Sequence, residues 1–180
     1  MEKAKQNQLG KFVSLVLRHQ PETIGLFLDK EGWADINELI SKSARKGMSF
    51  TREELDYIVE NNDKKRYAYN SDQTRIRANQ GHSIAVDLQL MEKRPPEFLY
   101  HGTTVRFVES IRKKGILKMQ RQQVHLSPNM QVAVQVGARR GEVFVFTVKA
   151  GEMYADGLVF FESDNGVWLT DFIDCKYLMD

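Results

Sequence analysis

Two adjacent prolines, Pro95 and Pro96, interrupt the chain near its midpoint. Proline cannot extend a helix and has no N–H to donate to a sheet, so the segment EKRPPEF is predicted to be a linker near residues 93–97. A chain of 180 residues divided there leaves two lobes of roughly 90 residues each, which is within the usual size of small domains. We therefore predict two lobes, residues 1–93 and 94–180.

The first lobe has the pattern of a winged helix. Apolar residues at helical spacing predict a first helix that ends before Pro21, and they are Leu9, Phe12, Val13, Val16 and Leu17. Two capping boxes predict the starts of two more helices, one formed by Asp35 with Glu38 and the other by Thr51 with Glu54. Two short strands around a turn are then expected in KKRYAYNSDQTRIRA. Helices followed by such a hairpin predict a winged-helix-like lobe.

The predicted hairpin, or wing, is rich in positive charge. Its lysines and arginines are interleaved with Tyr67 and Tyr69, a composition typical of a surface that holds phosphates and stacks on bases. The residues predicted to bind nucleic acid are Lys64, Lys65, Arg66 and Arg75. A solvated hairpin with ordinary surface charges is the alternative. Because side chains alternate along a strand, Arg75 and Arg77 are expected on one face, where both guanidinium groups can bind one anion.

The second lobe has a mixed pattern of short strands and helices. Strands are predicted in FLYHG, VHLS, EVFVFTVKA and GVWLT, and amphipathic helices at residues 105–114 and about 130–138. The lobe is therefore α+β. It has neither a dinucleotide-binding GxGxxG after a strand nor a Walker phosphate loop, which argues against a Rossmann domain or a P-loop NTPase. His101 and His125 are expected at strand ends, where a ligand can meet them.

Composition excludes several classes of protein. A hydrophobic fraction of 42% with interspersed charges predicts a soluble globular protein, and no apolar run approaches the roughly 18 residues of a membrane span. The start MEKAKQNQLGK lacks the apolar segment of a secretory signal, so we expect a cytoplasmic protein, and we expect a monomer. With Cys175 as the single cysteine and no CxxC or HxxxH spacing, neither a disulfide nor a metal site is expected.

Several segments resemble, in order and spacing, the RNA 2′-phosphotransferase family of the KptA type. They are LVLRHQPETIGLFLDKEGWADINELI, RIRANQGHS, LYHGT, VHLS, VGARRG and NGVWLT. The resemblance covers residues from Leu9 to Leu178. It implies an α+β protein in which a winged-helix-like, RNA-facing lobe is joined to a lobe of the ADP-ribosyltransferase fold that binds NAD.

The resemblance also implies a reaction. Such enzymes remove an internal 2′-phosphate from RNA, as left by one kind of tRNA splicing, with NAD as co-substrate. The RNA 2′-phosphate first attacks C1″ of the nicotinamide ribose, and nicotinamide departs. The product of this step is an ADP-ribosylated RNA. The 2″-hydroxyl then attacks the same phosphate, releasing RNA with a 2′-hydroxyl and ADP-ribose 1″,2″-cyclic phosphate.

By the same resemblance, the catalytic group of three arginines and a histidine is Arg18, His19, Arg77 and Arg139. The family commonly has histidine after the last arginine where this chain has Arg140, so the choice between Arg139 and Arg140 stays open. Contacts to NAD are implied for His82, Ser83, His101, Gly102, Thr103, His125, Ser127 and Val167. Val167 stands where many ADP-ribosyltransferases carry a glutamate, whose charge would repel an incoming phosphate.

Arginine suits this chemistry. The attacking phosphate is already anionic near neutral pH, so it needs to be held in line more than it needs a base. A guanidinium stays charged, binds two phosphate oxygens at once and stabilises added negative charge in the second step. In the alternative interpretation, Arg18 and His19 only stabilise a helix C-terminus. Their interaction with the helix dipole would contribute about 0.3 to 1 kcal/mol to stability.

Two other functions are compatible with the sequence. One is a winged-helix module that only binds nucleic acid, which the histidine-bearing strands of the second lobe argue against. The other is an ADP-ribosyltransferase with a different acceptor, such as a terminal phosphate or a protein side chain. Consumption of NAD and the identity of the acceptor distinguish the three.

Overall fold

The computed structural model describes residues 2–62 and 64–180, with the side chain of Arg140 outside the described part. It is a mixed α/β structure that divides into two compact units, residues 1–89 and residues 90–180. Within the described residues, no helix is both long enough and apolar enough to cross a membrane.

The first unit packs helices against a small antiparallel sheet. Its elements are α1 (Lys3–Arg18), β1 (Ala34–Asp35), α2 (Ile36–Arg45), α3 (Arg52–Glu60), β2 (Tyr67–Tyr69) and β3 (Arg75–Ala78), with a 3₁₀ turn at Pro21–Ile24. The strands lie in the order β1-β3-β2. The predicted helices and the predicted hairpin of the wing are confirmed.

Local sequence explains where these helices begin and end. The apolar stripe of α1 is buried at Leu9, Val13, Val16 and Leu17, and together with α2, α3 and β3 it forms one core. Thr51 and Glu54 form a complete capping box at the start of α3, whereas Asp35 accepts a hydrogen bond from the Glu38 N–H at the start of α2.

The second unit is built from several small antiparallel sheets and three helices within the described residues. Its elements are β4 (Leu99–Thr104), α4 (Val105–Lys114), β5 (Ile116–Leu117), β6 (Val124–Leu126), α5 (Met130–Gly137), β7 (Val143–Val148), α6 (Ala150–Ala155), β8 (Phe161–Glu162), β9 (Trp168–Thr170), β10 (Phe172–Ile173) and β11 (Leu178–Met179). The strand orders are β11-β7-β4, β6-β9-β8 and β10-β5. The strands predicted in FLYHG, VHLS, EVFVFTVKA and GVWLT are confirmed, as are α4 and α5.

The proline-containing segment predicted as a linker belongs to the second unit. The Lys93 N–H donates to the Phe160 carbonyl at 2.8 Å, and the Glu97 carbonyl accepts from the Gly151 N–H at 3.0 Å. Pro95 is buried. The division between the units therefore falls earlier, between Gln89 and Leu90, because these backbone bonds hold residues 93–97 against the second unit.

Candidate active site

The C-terminus of α1 holds two of the predicted catalytic residues. Arg18 is the last residue of the helix and is only 8% exposed, and His19 caps it with its N–H donating to the Leu15 carbonyl. Pro21 then begins a 3₁₀ turn. One guanidinium nitrogen of Arg18 lies 3.5 Å from the Arg66 carbonyl, at the entry to the wing. The Arg18 side chain is thus directed into the unit along the start of the hairpin.

Arg77 lies on β3 and stacks on a tryptophan. β1 pairs with β3 so that Ala34 faces Ile76, and one further step in this register places Trp33 opposite Arg77. The Arg77 guanidinium carbon lies 4.5 Å from the centre of the Trp33 ring. Such a cation–π contact limits the directions in which the guanidinium can point.

The turn before Trp33 is organised by a single carboxylate. One oxygen of Asp29 accepts from the N–H groups of Glu31 and Trp33, and the other pairs with Arg75 at 3.1 Å. Ile76 between the two arginines is fully buried, so the alternation predicted for β3 is confirmed. The two guanidinium groups, however, have different neighbours. Arg75 forms an ion pair with Asp29, whereas Arg77 stacks on Trp33, and the expectation that both bind one anion stays a prediction.

His82 is buried among cationic side chains. The residue is 2% exposed, and its pKa is lowered to about 4 by burial of the imidazole first and then by the charges of Arg18, His19 and Arg77. Its Nε2 atom has no hydrogen-bond partner among the described residues. His82 is therefore neutral at pH 7, and the basic residues Arg18, His19 and Arg77 cluster around it.

Ser83 joins the residues at the end of α1. Its N–H donates to the Arg18 carbonyl at 3.0 Å, and its hydroxyl lies 2.9 Å from Nδ1 of His19. The RIRANQGHS segment therefore returns to the RH pair of LVLRHQP. The structure brings together Arg18, His19, Arg77, His82 and Ser83 within the first unit.

The basic residues of the wing differ in exposure. Lys65 is exposed, whereas the amino nitrogen of Lys64 is buried. Arg66 donates to the Asn62 side chain at 3.3 Å. The tyrosines are structural: Tyr67 is 4% exposed with its hydroxyl on the Gly10 carbonyl, and the Tyr69 hydroxyl donates to Asp56 at 2.7 Å. The expectation that Tyr67 stacks on bases is therefore wrong, because its ring fills the core.

In the second unit, the two strand histidines lie on neighbouring strands. Tyr100 of β4 and Ser127 after β6 form a bridge, and His101 donates through Nδ1 to the His125 carbonyl at 3.3 Å. A carbonyl only accepts, so Nδ1 carries the proton. Burial lowers the pKa of His101, as does the charge of Arg121, while the bond to His125 raises it. The segments YHGT and VHLS thus meet at one place in the fold.

The glycines of YHGT and VGARRG let α5 approach β4 closely. A Cβ on Gly102 would lie 1.8 Å from the Ala133 carbonyl oxygen, and one on Gly137 would lie 2.7 Å from the Thr103 carbonyl oxygen. The 3₁₀ turn Ala138–Arg140 follows α5 directly and packs beside β4. It carries Arg139, which is exposed, next to the strand of His101 and Thr103. The side chain of Arg140 lies outside the described part of the chain.

Ser127 and Val167 complete the positions expected to contact NAD. The Ser127 hydroxyl donates to the Asn129 carbonyl at 2.8 Å, at the start of α5. Val167 precedes β9, and its carbonyl accepts from the Ser163 N–H at 2.9 Å. Since β9 pairs with β6, Val167 lies in the same sheet region as His125. Among the described residues, no group of three or more His, Cys, Asp or Glu side chains is arranged to hold a metal ion.

Sequence reasoning missed the turn that supports Arg77. Trp33 and Asp29 contact the two arginines of β3, and Gly32 adopts a φ of 82° that permits the turn. The signal was present in the segment LDKEGWAD, where an aspartate, a glycine and a tryptophan precede a short strand. Its meaning depends on the pairing of β1 with β3, which local patterns do not reveal.

Comparison with known proteins identifies relatives along almost the whole chain. The sequence model of the RNA 2′-phosphotransferase, Tpt1 / KptA family, matches residues 4–172. A protein of Flavobacterium johnsoniae is 59% identical over 170 residues, which cover 94% of this chain and 93% of the relative. A Streptomyces coelicolor protein is 50% identical over 178 residues, covering 99% and 97%, and an Escherichia coli protein is 49% identical over 172 residues, covering 95% and 94%. Each of the three is named as a probable RNA 2′-phosphotransferase.

Proposed function

Because this chain belongs to the RNA 2′-phosphotransferase, Tpt1 / KptA family, we propose that it transfers an internal 2′-phosphate from RNA to NAD in two steps. The RNA would be a tRNA with a splice-junction 2′-phosphate, and the protein would act as a cytoplasmic monomer. The observation that carries the proposal is the cluster of the basic residues Arg18, His19 and Arg77 around the neutral, buried His82. Such a cluster suits a dianionic phosphate, because guanidinium groups bind its oxygens with charge-assisted hydrogen bonds.

We assign the two proposed lobes, one winged-helix-like and one ADP-ribosyltransferase-like, to the two units of the structure. The order α1, α2, α3 and then the hairpin β2–β3, with β1 beside β3, supports a winged-helix-like first lobe. The second unit, with its paired YHGT and VHLS strands, is proposed to be the ADP-ribosyltransferase-like lobe. Neither of these two segments contains a carboxylate, and their imidazoles and hydroxyls suit the ribose and pyrophosphate groups of NAD.

In the first step, an oxygen of the RNA 2′-phosphate would form a bond to C1″ while the bond from C1″ to nicotinamide breaks. Arg18 and Arg77 are proposed to orient this phosphate. Both side chains are held by their own neighbours, Arg18 by burial beside the Arg66 carbonyl and Arg77 by the Trp33 ring. A guanidinium that is already fixed loses less conformational entropy when it binds a phosphate.

In the second step, the 2″-hydroxyl oxygen would form a bond to phosphorus while the bond to the RNA 2′ oxygen breaks. Extra negative charge then develops on the phosphate, and the arginines stabilise it. Arg139 is proposed for this role in the second unit, on the turn beside β4. His19, the titratable member of the catalytic group, would take the proton of the attacking hydroxyl.

Incubation of the purified protein with NAD and a short RNA carrying one internal 2′-phosphate tests this proposal. Release of one nicotinamide per RNA, together with an RNA whose mass has fallen by one phosphate, is the expected result. The same RNA with a 2′-hydroxyl is the control and should release none. Loss of the phosphate without consumption of NAD would contradict the NAD-dependent route, and nicotinamide release with an RNA that stays ADP-ribosylated would indicate a transferase that stops after the first step.

A further inference from the structure

Ser83 makes two contacts at the end of α1 that together fix the position of His19. Its N–H donates to the Arg18 carbonyl, which the helix itself leaves without an i+4 partner at this terminus, and its hydroxyl meets Nδ1 of His19. The backbone bond sets the distance between the two segments. The side-chain bond then fixes the rotation of the imidazole ring about its Cβ–Cγ bond.

Ser83 is itself held firmly on one side. The preceding residue, His82, is buried, and its Nε2 atom lies beside Gly32 of the turn before Trp33. A few residues later, the Asp87 N–H donates to the Lys30 carbonyl at 2.8 Å. The segment from His82 to Asp87 is thus pinned to the same turn that supports Arg77. Although the Ser83 side chain is exposed, its backbone has little freedom.

We infer that Ser83 is a positioning residue that holds the His19 ring with Nδ1 protonated and directs proton exchange to Nε2, an inference that rests on the proposed function. A hydroxyl can donate or accept, so the direction of the bond follows from chemistry. Nδ1 carries a proton both in the imidazolium and in the neutral tautomer whose lone pair is on Nε2. An accepting Ser83 hydroxyl therefore serves both protonation states without rotating.

This arrangement prepares His19 for the second step. The neutral ring offers the Nε2 lone pair, which takes the proton of the 2″-hydroxyl as its oxygen bonds to phosphorus. The RNA 2′ oxygen leaves with the electron pair of the broken bond and takes a proton from water, and Nε2 later returns its proton to solvent. Without Ser83, the neutral ring would populate the tautomer with the proton on Nε2, which cannot accept another there.

This role differs from the NAD contact implied for Ser83 by family resemblance, and kinetics separate the two. In single-turnover reactions, Ser83→Ala should slow the second step about 10-fold, the effect of losing one hydrogen bond that orients the base, and leave the KM for NAD unchanged. Ser83→Thr keeps the hydroxyl and should restore the rate. Ser41→Ala removes another exposed serine hydroxyl, one that donates to the Glu38 carbonyl on α2, and should match the wild type.

Nitrogen NMR of histidine-labelled protein provides a readout that does not require activity. In the neutral ring of the wild type, the His19 shifts should be those of a protonated Nδ1 and an unprotonated Nε2, with the signals assigned by their loss in His19→Gln. Ser83→Ala should move both shifts toward the opposite tautomer. If the wild type releases no nicotinamide, the proposed function fails while this experiment still judges the inference. An unchanged tautomer in Ser83→Ala, or a raised KM for NAD with a normal second step, would overturn it.

Discussion

The guanidinium of Arg77 lies over the indole ring of Trp33, with 4.5 Å between the guanidinium carbon and the ring centre. This contact joins a residue of the proposed catalytic group to a turn that Asp29 organises through three hydrogen bonds. Arg77 is therefore supported from a part of the first unit that is remote in sequence. Its function should depend on the ring beneath it as well as on its own charge.

Replacing Trp33 with leucine should slow the second step of the reaction about 10-fold. Cation–π contacts are worth about 0.5 to 2 kcal/mol, and a guanidinium that loses one samples more directions. ADP-ribosylated RNA should then accumulate, visible as a shifted band of end-labelled RNA. Trp33→Phe keeps an aromatic face and should lie between the wild type and Trp33→Leu. Equal rates for all three would show that the ring does not orient Arg77.

The buried His82 makes folding stability depend on pH. Its pKa is about 4 in the folded protein, below the ordinary value of 6.5 that it has in the unfolded chain. Above pH 6.5 the ring is neutral in both states and the stability is complete. As the pH falls toward 4, the unfolded chain binds a proton that the folded protein does not, so stability is lost.

At about pH 5 this loss should reach about 2 kcal/mol relative to neutral pH. Urea unfolding of the wild type and of His82→Gln at both pH values measures it. The difference between the two proteins isolates His82 from other titrating groups, such as His101, whose pKa is also lowered by burial. The ring signals of His82 in the wild type, followed by NMR, give the pKa directly. A midpoint near 6.5 would contradict the buried, neutral imidazole.

The wing should bind the RNA backbone through its exposed charge. Lys65→Ala is expected to weaken RNA binding and to reduce the slope of log affinity against log salt by about 0.7, the value for one contact to a single-stranded phosphate. Lys64 has a buried amino nitrogen, so Lys64→Ala should lower the free energy of unfolding more than the salt slope. Lys46→Ala, at an exposed lysine after α2, is the control. Identical salt slopes for Lys65→Ala and Lys46→Ala would assign the wing no role in RNA binding.

Two glycines of the chain should respond to alanine in opposite ways. Gly102→Ala places a Cβ against the Ala133 carbonyl, a backbone atom that moves only if α5 separates from β4, so stability should fall by more than about 3 kcal/mol. Gly10 lies within α1, and a Cβ there meets nothing within 4 Å. Gly10→Ala should therefore raise stability by about 0.5 to 1 kcal/mol. Denaturant unfolding measures both, and a neutral Gly102→Ala would contradict the close approach of α5.

The sequence predicts those features of the structure that depend on residues close together along the chain. The apolar stripe of α1, the capping box at Thr51 and the strand that carries His101 follow from local patterns, and each is found in the structure. The position of Arg18 and His19 at the end of a helix was also predictable, because Pro21 stops α1. These features depend on residues only a few positions apart.

The support of the catalytic group depends on contacts that no local pattern encodes. Trp33 meets Arg77 only because β1 pairs with β3 in one register, and Ser83 meets His19 across 64 positions of sequence. The burial of Tyr67 was missed for a related reason. A tyrosine among basic residues resembles a base-stacking surface, and only the packing of β2 on α1 shows that its ring belongs to the core.

The central claim is that the 2′-phosphate leaves the RNA by transfer to NAD, and the fate of its phosphorus atom tests this most directly. An RNA with a radiolabelled internal 2′-phosphate is incubated with NAD and the protein, and the labelled products are separated by chromatography. We expect the label to pass from RNA, through an ADP-ribosylated RNA that Arg77→Ala enriches, into ADP-ribose 1″,2″-cyclic phosphate. Label recovered as inorganic phosphate, at a rate independent of NAD, would contradict the account.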